Sequence, residues 1–280
     1  MTGLVGTSDN VGAVNTPNAT SSEPWLPGEP YFFRGPAAEA VSPPARFTLR
    51  HVVETGSTND DLVAAAAKGT PDGLVLVADG QTAGKGRLNR QWVSEPGVNL
   101  LVSVLFRRIP RYPHQLTHAM ALAAQTAALK SASVKAALKW PNDLLVDGRK
   151  VAGILSVAGG GTSPSGGPMF VVVGLGLNVG WAPEGAASLA GACGHVVDRD
   201  AVLAHLLTAL DTLLDLDEQQ LFNRYRSRLD TLRRKVRVEM PNDEILEGRA
   251  LDVEIDGRLQ VLDQRGVTRA LDIGDIVHLR

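Results

Sequence analysis

The sequence predicts a mixed α/β domain (α+β, a mixed β-sheet flanked by helices) over residues 46–230 and a small β-barrel over residues 232–280. Three observations predict it. Apolar runs of strand length are joined mostly by hairpins rather than by alternating helices, which favours an antiparallel or mixed sheet over a doubly wound parallel one. After Thr231 the chain shifts to short alternating runs separated by turns (KVRVEM, ILEGRALDVE, RLQVLD, VTRALD, IVHLR), the pattern of a compact all-β module. Residues 1–45 hold seven of the sixteen prolines and little apolar periodicity, so they read as a flexible or loosely attached arm.

From residue 46 the elements follow in order. Phe47, Leu49, His51 and Val53 alternate with their neighbours and predict a half-buried strand. GSTNDDLVAAAAKG (56–69) predicts a helix capped by Ser57 or Thr58, with Asp60 or Asp61 suited to its positive end and Gly69 ending it. LVLVAD (74–79) is a short buried strand, residues 80–97 a long loop, NLLVSVLF (99–106) another strand and 112–132 a long helix. ALKW (137–140) precedes DLLVDGRKVAGILSV (143–157), a hairpin with Asp147-Gly148 at its turn. GGGTSPSGGP (159–168) reads as a flexible tip, MFVVVGLGLNV (169–179) as a buried strand, and 198–229 as one or two amphipathic helices.

Composition excludes several classes. Hydrophobic residues make up 44% of 280 and the net charge is −2, which supplies a core but no basic footprint for nucleic acid. One cysteine, Cys193, allows no internal disulfide and no cysteine-based zinc site. No apolar stretch reaches membrane-spanning length and the N-terminus lacks a secretory pattern, so the expected location is cytoplasmic. The arm has no pair of amphipathic helices, so no helix-turn-helix module is expected before the main domain. His114 and His118 stand four apart on a helix without a third ligand and read as surface or packing residues.

Four motifs carry chemistry. GQTAGKGRLNRQW (80–92) is not a phosphate loop, because Gly80 and Gly84 are spaced wrongly and Gly86 follows Lys85 where Ser or Thr is needed. It does place Lys85, Arg87 and Arg90 on a glycine-bearing loop, a means of closing over polyanions, or else a solvated basic loop. In KWPNDLLVDGRKVAGIL (139–155), Lys139 ends one strand, Lys150 begins another, and Gly153 interrupts an apolar run where a ligand can approach backbone. GLGLN (174–178) leaves one sheet face bare beside Asn178, which suits a flat ligand. Ser57-Thr58-Asn59 gathers polar side chains and N–H groups at a helix start.

The order STN, GKGRLNRQW, KWPND, RKVAGIL, GLGLN and a terminal β-module resembles the biotin protein ligases (biotin–acetyl-CoA-carboxylase ligases) over residues 46–280. The resemblance implies a class II synthetase-like catalytic domain followed by an SH3-like barrel. It departs from the usual Gly-Arg-Gly-Arg-x-Gly-Arg loop at Lys85, which loses a planar fork, and at Asn89, which tolerates the unusual φ a turn needs. The implied reaction makes biotinyl-5′-AMP from biotin and ATP, then transfers biotin to a lysine of a biotin carboxyl carrier domain, of acetyl-CoA or acyl-CoA carboxylase or pyruvate carboxylase. Magnesium accompanies ATP with few protein ligands, and no metal site of the protein's own is expected.

Residue by residue, the resemblance implies a biotin site of Ser57, Thr58, Asn59, Gln81, Lys85, Gly86, Arg87, Lys150 and Gly153, with the ring and tail over Gly174 and Gly176. Arg87 bridges the two reacting anions and Lys139 lies between the same groups. Asn178 meets adenine, Arg90 binds phosphates, Trp92 covers adenine, and Asn142 belongs to the nucleotide side. Arg87, Lys139, Lys150 and Asp143 form the catalytic set, Asp143 positioning or deprotonating the incoming amine. The loop is expected to shield the intermediate from water. A lipoate or octanoyl ligase of related fold and a non-catalytic biotin sensor are the alternatives. The seven Arg and Lys of 224–237 form a solvated face or dock an acidic carrier. No nucleic-acid or membrane partner is expected, and the chain is expected to be a monomer or weak dimer.

Overall fold

The segment LLVSVLF is apolar except for one hydroxyl, and all seven of its residues are buried, so it must lie mid-sheet with both faces covered. The computed structural model describes residues 27–31, 33, 43–162, 166, 168–240, 244–272 and 274–279. The main domain contains β1 (Glu29–Pro30), β2 (Thr48–Thr55), α1 (Thr58–Ala67), β3 (Leu74–Gln81), β4 (Leu100–Phe106), α2 (Gln115–Ala132), β5 (Ala137–Lys139), β6 (Asp143–Val146), β7 (Arg149–Thr162) and β8 (Pro168–Leu177). It continues through α3 (Leu189–Cys193), α4 (Arg199–Leu214) and α5 (Glu218–Arg228). Among the described residues its sheet runs β1-β2-β3-β4-β8-β7-β6-β5. β2 and β3 are parallel, joined through α1, and the other neighbours are antiparallel.

Alternation sorts the side chains into two cores. Val102, Val104, Val171 and Val173 face α2 and α4, where the alanines of α2 permit close packing. Leu76, Leu105, Phe170 and Val172 face α1 through Leu62 and Ala66. Leu62 is wholly buried, so its truncation to Ala costs about 2–5 kcal/mol. α1 is ten residues long and covers part of its sheet face; the uncovered part is where the site lies.

Several expectations change. Neither Ser57 nor Thr58 caps α1 with its side chain; the Thr58 N–H donates to Gln81 Oε1 at 2.8 Å, from the end of β3. The arm reading fails over residues 27–31, where β1 pairs with β2 and the Tyr31 hydroxyl donates to Asp200 at the start of α4. Residues 1–26, 32, 34–42, 163–165 and 167 lie outside the described residues, and with them most of the arm and part of the expected tip. Strand pairing reaches Thr162–Pro168, so the tip is shorter than expected. The Asp147-Gly148 turn has positive φ at both residues, as a two-residue hairpin of this twist requires.

After α5 come β9 (Lys235–Glu239), β10 (Ile245–Val253), β11 (Leu259–Asp263), β12 (Thr268–Leu271) and β13 (Asp275–His278). They form one antiparallel sheet, β12-β11-β10-β9-β13, and among the described residues no ladder joins its edges into a closed barrel. This module is fastened to the main domain by polar contacts. Trp140 Nε1 donates to Gly257 O at 2.9 Å, the Trp140 N–H donates to Thr231 Oγ1 at 2.9 Å, and His114 Nε2 donates to Ile255 O at 2.9 Å. No helix among the described residues is long and apolar enough to cross a membrane.

Candidate active site

Beyond the N-terminus of α1, β8 carries Gly174 and Gly176 toward the uncovered face, and β7 carries Gly153 beside them. Missing side chains leave a cavity of about 390 Å³, roofed by the loop from Gln81 to Val93. The glycines are needed: a methyl on Gly174 would collide with the Asn59 amide, and one on Gly176 with the Trp92 indole.

One wall is a buried polar chain. Thr58 Oγ1 donates to Gln81 Oε1 at 3.0 Å and lies 2.7 Å from Ser103 Oγ; Ser103 Oγ donates to Asn59 Oδ1 at 2.7 Å; Asn59 Nδ2 donates to Leu155 O at 3.0 Å. These mutual bonds fix the rotamers before any ligand arrives, which is preorganisation. Asn178, at the far end of β8, donates Nδ2 to Ala187 O at 3.0 Å, while its buried Oδ1 has no partner among the described residues.

The roof is a small folded tongue. Lys85 pairs with Gln91, the Trp92 N–H donates to Gly84 O at 2.9 Å, and a turn of 3₁₀ helix spans Arg87–Asn89. The left-handed residue in that turn is Leu88 (φ 54°), not Asn89. Lys85 Nζ pairs with Asp60 at 2.6 Å, an exposed contact that anchors the tongue to α1 and is worth little in itself. Arg87 Nη1 reaches Asn142 Oδ1 and Gly274 O, both at 3.3 Å, so the tongue touches the C-terminal module. Trp92 lies on Gly176 and Gly153 with Lys150 Nζ 5.7 Å from its ring centroid, where the bare floor had been assigned to the biotin ring and tail.

Of the residues singled out from sequence, Ser57, Thr58, Asn59, Gln81, Lys85, Gly86, Arg87, Arg90, Trp92, Asn142, Lys150, Gly153, Gly174, Gly176 and Asn178 line this one cavity. Lys139 and Asp143 do not. Asp143 stands behind the wall, with Lys150 Nζ at 2.6 Å from one carboxylate oxygen and Lys139 Nζ at 3.9 Å from the other. The geometry makes Asp143 a holder of two ammonium groups, and Lys139 reaches the site through it. Ser103, Gln91, Leu155, Pro183 and Ala186 also line the cavity and were not singled out. Ser103 had a signal: a hydroxyl inside a wholly apolar buried strand needs a partner.

Comparison with known proteins agrees with this geometry. The model of the biotin/lipoate A/B protein ligase family matches residues 55–178, and that of the biotin protein ligase C-terminal domain matches residues 231–279. The chain is 39% identical over 244 residues to a biotin–[acetyl-CoA-carboxylase] ligase of Mycobacterium tuberculosis, covering 82% of this chain and 88% of the relative. It is 31% identical over 193 residues to a protein of the same name from Paracoccus denitrificans, covering 64% and 73%. The biotin protein ligase of Aquifex aeolicus, solved in complex with biotin and ATP, superposes with a TM-score of 0.69 at 25% identity, over 83% of this chain and 98% of that one. Both modules match in order and the likeness to the mycobacterial enzyme runs through most of the length, so the chain belongs to the biotin protein ligase family.

Proposed function

We propose that this protein activates biotin with ATP and transfers it to one lysine of the biotin carrier domain of acetyl-CoA carboxylase. The observation that carries the reading is the single cavity in which a glycine floor, a fixed polar wall, Arg87 and Lys150 meet. Carriers of acyl-CoA or pyruvate carboxylases present the same acceptor chemistry. ATP as co-substrate fits a cytoplasmic location, and the reading requires no second copy of the chain.

In the first step a biotin carboxylate oxygen attacks the α-phosphorus of ATP, the bond to the β-phosphate oxygen breaks, and pyrophosphate leaves. Two anions must meet, so cations have to offset their repulsion and the charge that builds on phosphorus. Arg87 and Lys150 take that role, with Arg90 beside them for the phosphates. Asp143 keeps Lys150 in place. The wall of Thr58, Asn59, Ser103 and Gln81 reads the polar ring of biotin, and Asn178 Oδ1 accepts from the adenine amine. Magnesium arriving with ATP would be held mostly by phosphate oxygens, with few protein ligands.

In the second step the lysine nitrogen forms a bond to the acyl carbon, and the acyl–phosphate C–O bond breaks with its electrons leaving on AMP. The tongue keeps water from the mixed anhydride. The test is incubation with biotin, ATP, magnesium and a carrier domain. The expected result is a biotin mass shift on one lysine; no shift, or an equal shift from lipoate, contradicts the reading.

A further inference from the structure

A second cavity, of about 210 Å³, lies between the main domain and the C-terminal module. It shares Arg87, Asn142, Ile154 and Leu155 with the first, so the two chambers meet at the Arg87–Asn142 contact. Its remaining apolar wall comes from Trp140 and Pro141, and Asp256 and Asp272 border it from the C-terminal module. Thr117 and His118 line it too. Both are more than nine-tenths buried, and Thr117 Oγ1 and His118 Nδ1 have no hydrogen-bond partner among the described residues.

We propose that this interdomain cavity receives the side chain of the acceptor lysine. The inference rests on the ligase reading above and names where its second substrate enters. A lysine has an apolar four-carbon stem and three N–H donors. The Trp140, Pro141, Ile154 and Leu155 surfaces suit the stem, and the Asp256 and Asp272 carboxylates suit the donors. Burial holds His118 well below its ordinary basicity, so its ring adds no positive charge beside the two carboxylates. Asp272 draws a cation inward, helped by Asp256, whose charge is partly met by Arg258 at 2.8 Å. A polyphosphate would face these two carboxylates, with Arg87 as the one cation on the wall among the described residues. When the amine crosses the shared seam, the new C–N bond replaces the acyl–phosphate C–O bond, AMP leaves, and the two protons lost by the ammonium go to solvent.

Two variants of the full chain test this. Asp272→Lys reverses the charge, and Ser156→Trp obstructs the cavity from an exposed strand position that lines the second chamber but not the first. Three rates are measured: biotin-dependent ATP–pyrophosphate exchange, transfer from preformed biotinyl-AMP to a carrier domain, and cleavage of that intermediate by hydroxylamine, a small neutral nucleophile. The expected result is transfer lowered about tenfold or more, with exchange and hydroxylamine cleavage within about twofold of wild type. Exchange falling in parallel would overturn the proposal by assigning the cavity to the nucleotide. Transfer at the wild-type rate in both variants would overturn it while leaving the ligase reading intact. Wild-type protein without biotin-dependent exchange would overturn both.

Discussion

Arg87 touches the catalytic wall at Asn142 and the C-terminal module at Gly274, and it sits at the tip of the tongue that roofs the site. Its loss removes a cation from the cavity and unfastens the roof together. Arg87→Gly is expected to release biotinyl-AMP and to label lysines on bystander proteins; the check is biotin incorporated into an unrelated protein mixed with the variant, which should rise well above wild type. Gly176 tests the floor. In Gly176→Ala the methyl meets the Trp92 indole, so the tongue must lift, and biotin kcat/KM is expected to fall about 10–100-fold while the melting temperature changes little. Equal kcat/KM would show that the indole moves aside freely. At this scale the cavity-lining glycines were marked in the sequence by their place in buried strands, whereas the loop cations read equally as a solvated surface until the order of all the motifs was taken together. The placements of Lys139 and Asp143 were not legible. The 139–143 hairpin pairs Lys139 directly across from Asp143, which sets the Asp143 carboxylate beside both Lys139 and Lys150.

Among the elements, the strand β1 and its neighbours form a strap. Arg50 donates to Gly28 O, Tyr31 N–H donates to Leu49 O at 3.1 Å, and the Tyr31 hydroxyl reaches Asp200 on α4. Asp79 links the same corner, meeting His51 at 3.0 Å and Arg199 at 2.7 Å. Burial first and the Asp200 contact second push the Tyr31 phenol above its ordinary pKa, so it stays a donor at neutral pH. Tyr31→Phe is expected to cost about 1–2 kcal/mol in urea unfolding, with activity per folded molecule unchanged. A proline-rich segment with two short pairing residues gives no periodic signal, which is why the sequence alone read as a loose arm here. The Ser57 cap failed for a related reason. The donor at the start of α1 is satisfied by Gln81, twenty-three residues away, and local capping rules do not see such partners.

For the whole molecule, the seam between modules holds three histidines that burial keeps neutral. His114 faces Asp256 and Glu218 and bonds Ile255 O; His118 lies against His114 and stacks on Tyr225; His278 faces Arg234, Lys139 and Asp230 and falls to about 4. Each binds its proton more weakly folded than unfolded. Their contribution is therefore complete above the unfolded value near 6.5 and is lost as pH falls toward the folded values. The melting temperature is expected to drop steadily from pH 7 to pH 5, and His278→Gln is expected to flatten that slope. A wild-type protein equally stable at both values would contradict the sign. His114 and His118 were recognisable as two residues on one helix face, but their partners lie more than a hundred positions later, and helical spacing says nothing of what a face meets. The mixed sheet and the separate β-module, by contrast, were legible from hairpin turns and strand lengths.

The central claim is that Arg87 and Lys150, brought from a loop and a strand sixty-three positions apart, let two anions react over a glycine floor. Biotin-dependent ATP–pyrophosphate exchange measures that step without the acceptor. The account predicts exchange in the wild-type protein with biotin and none with lipoate, and a loss of about 10²–10³ in Lys150→Gln. Exchange at the wild-type rate in Lys150→Gln, or exchange driven equally by lipoate, would contradict it.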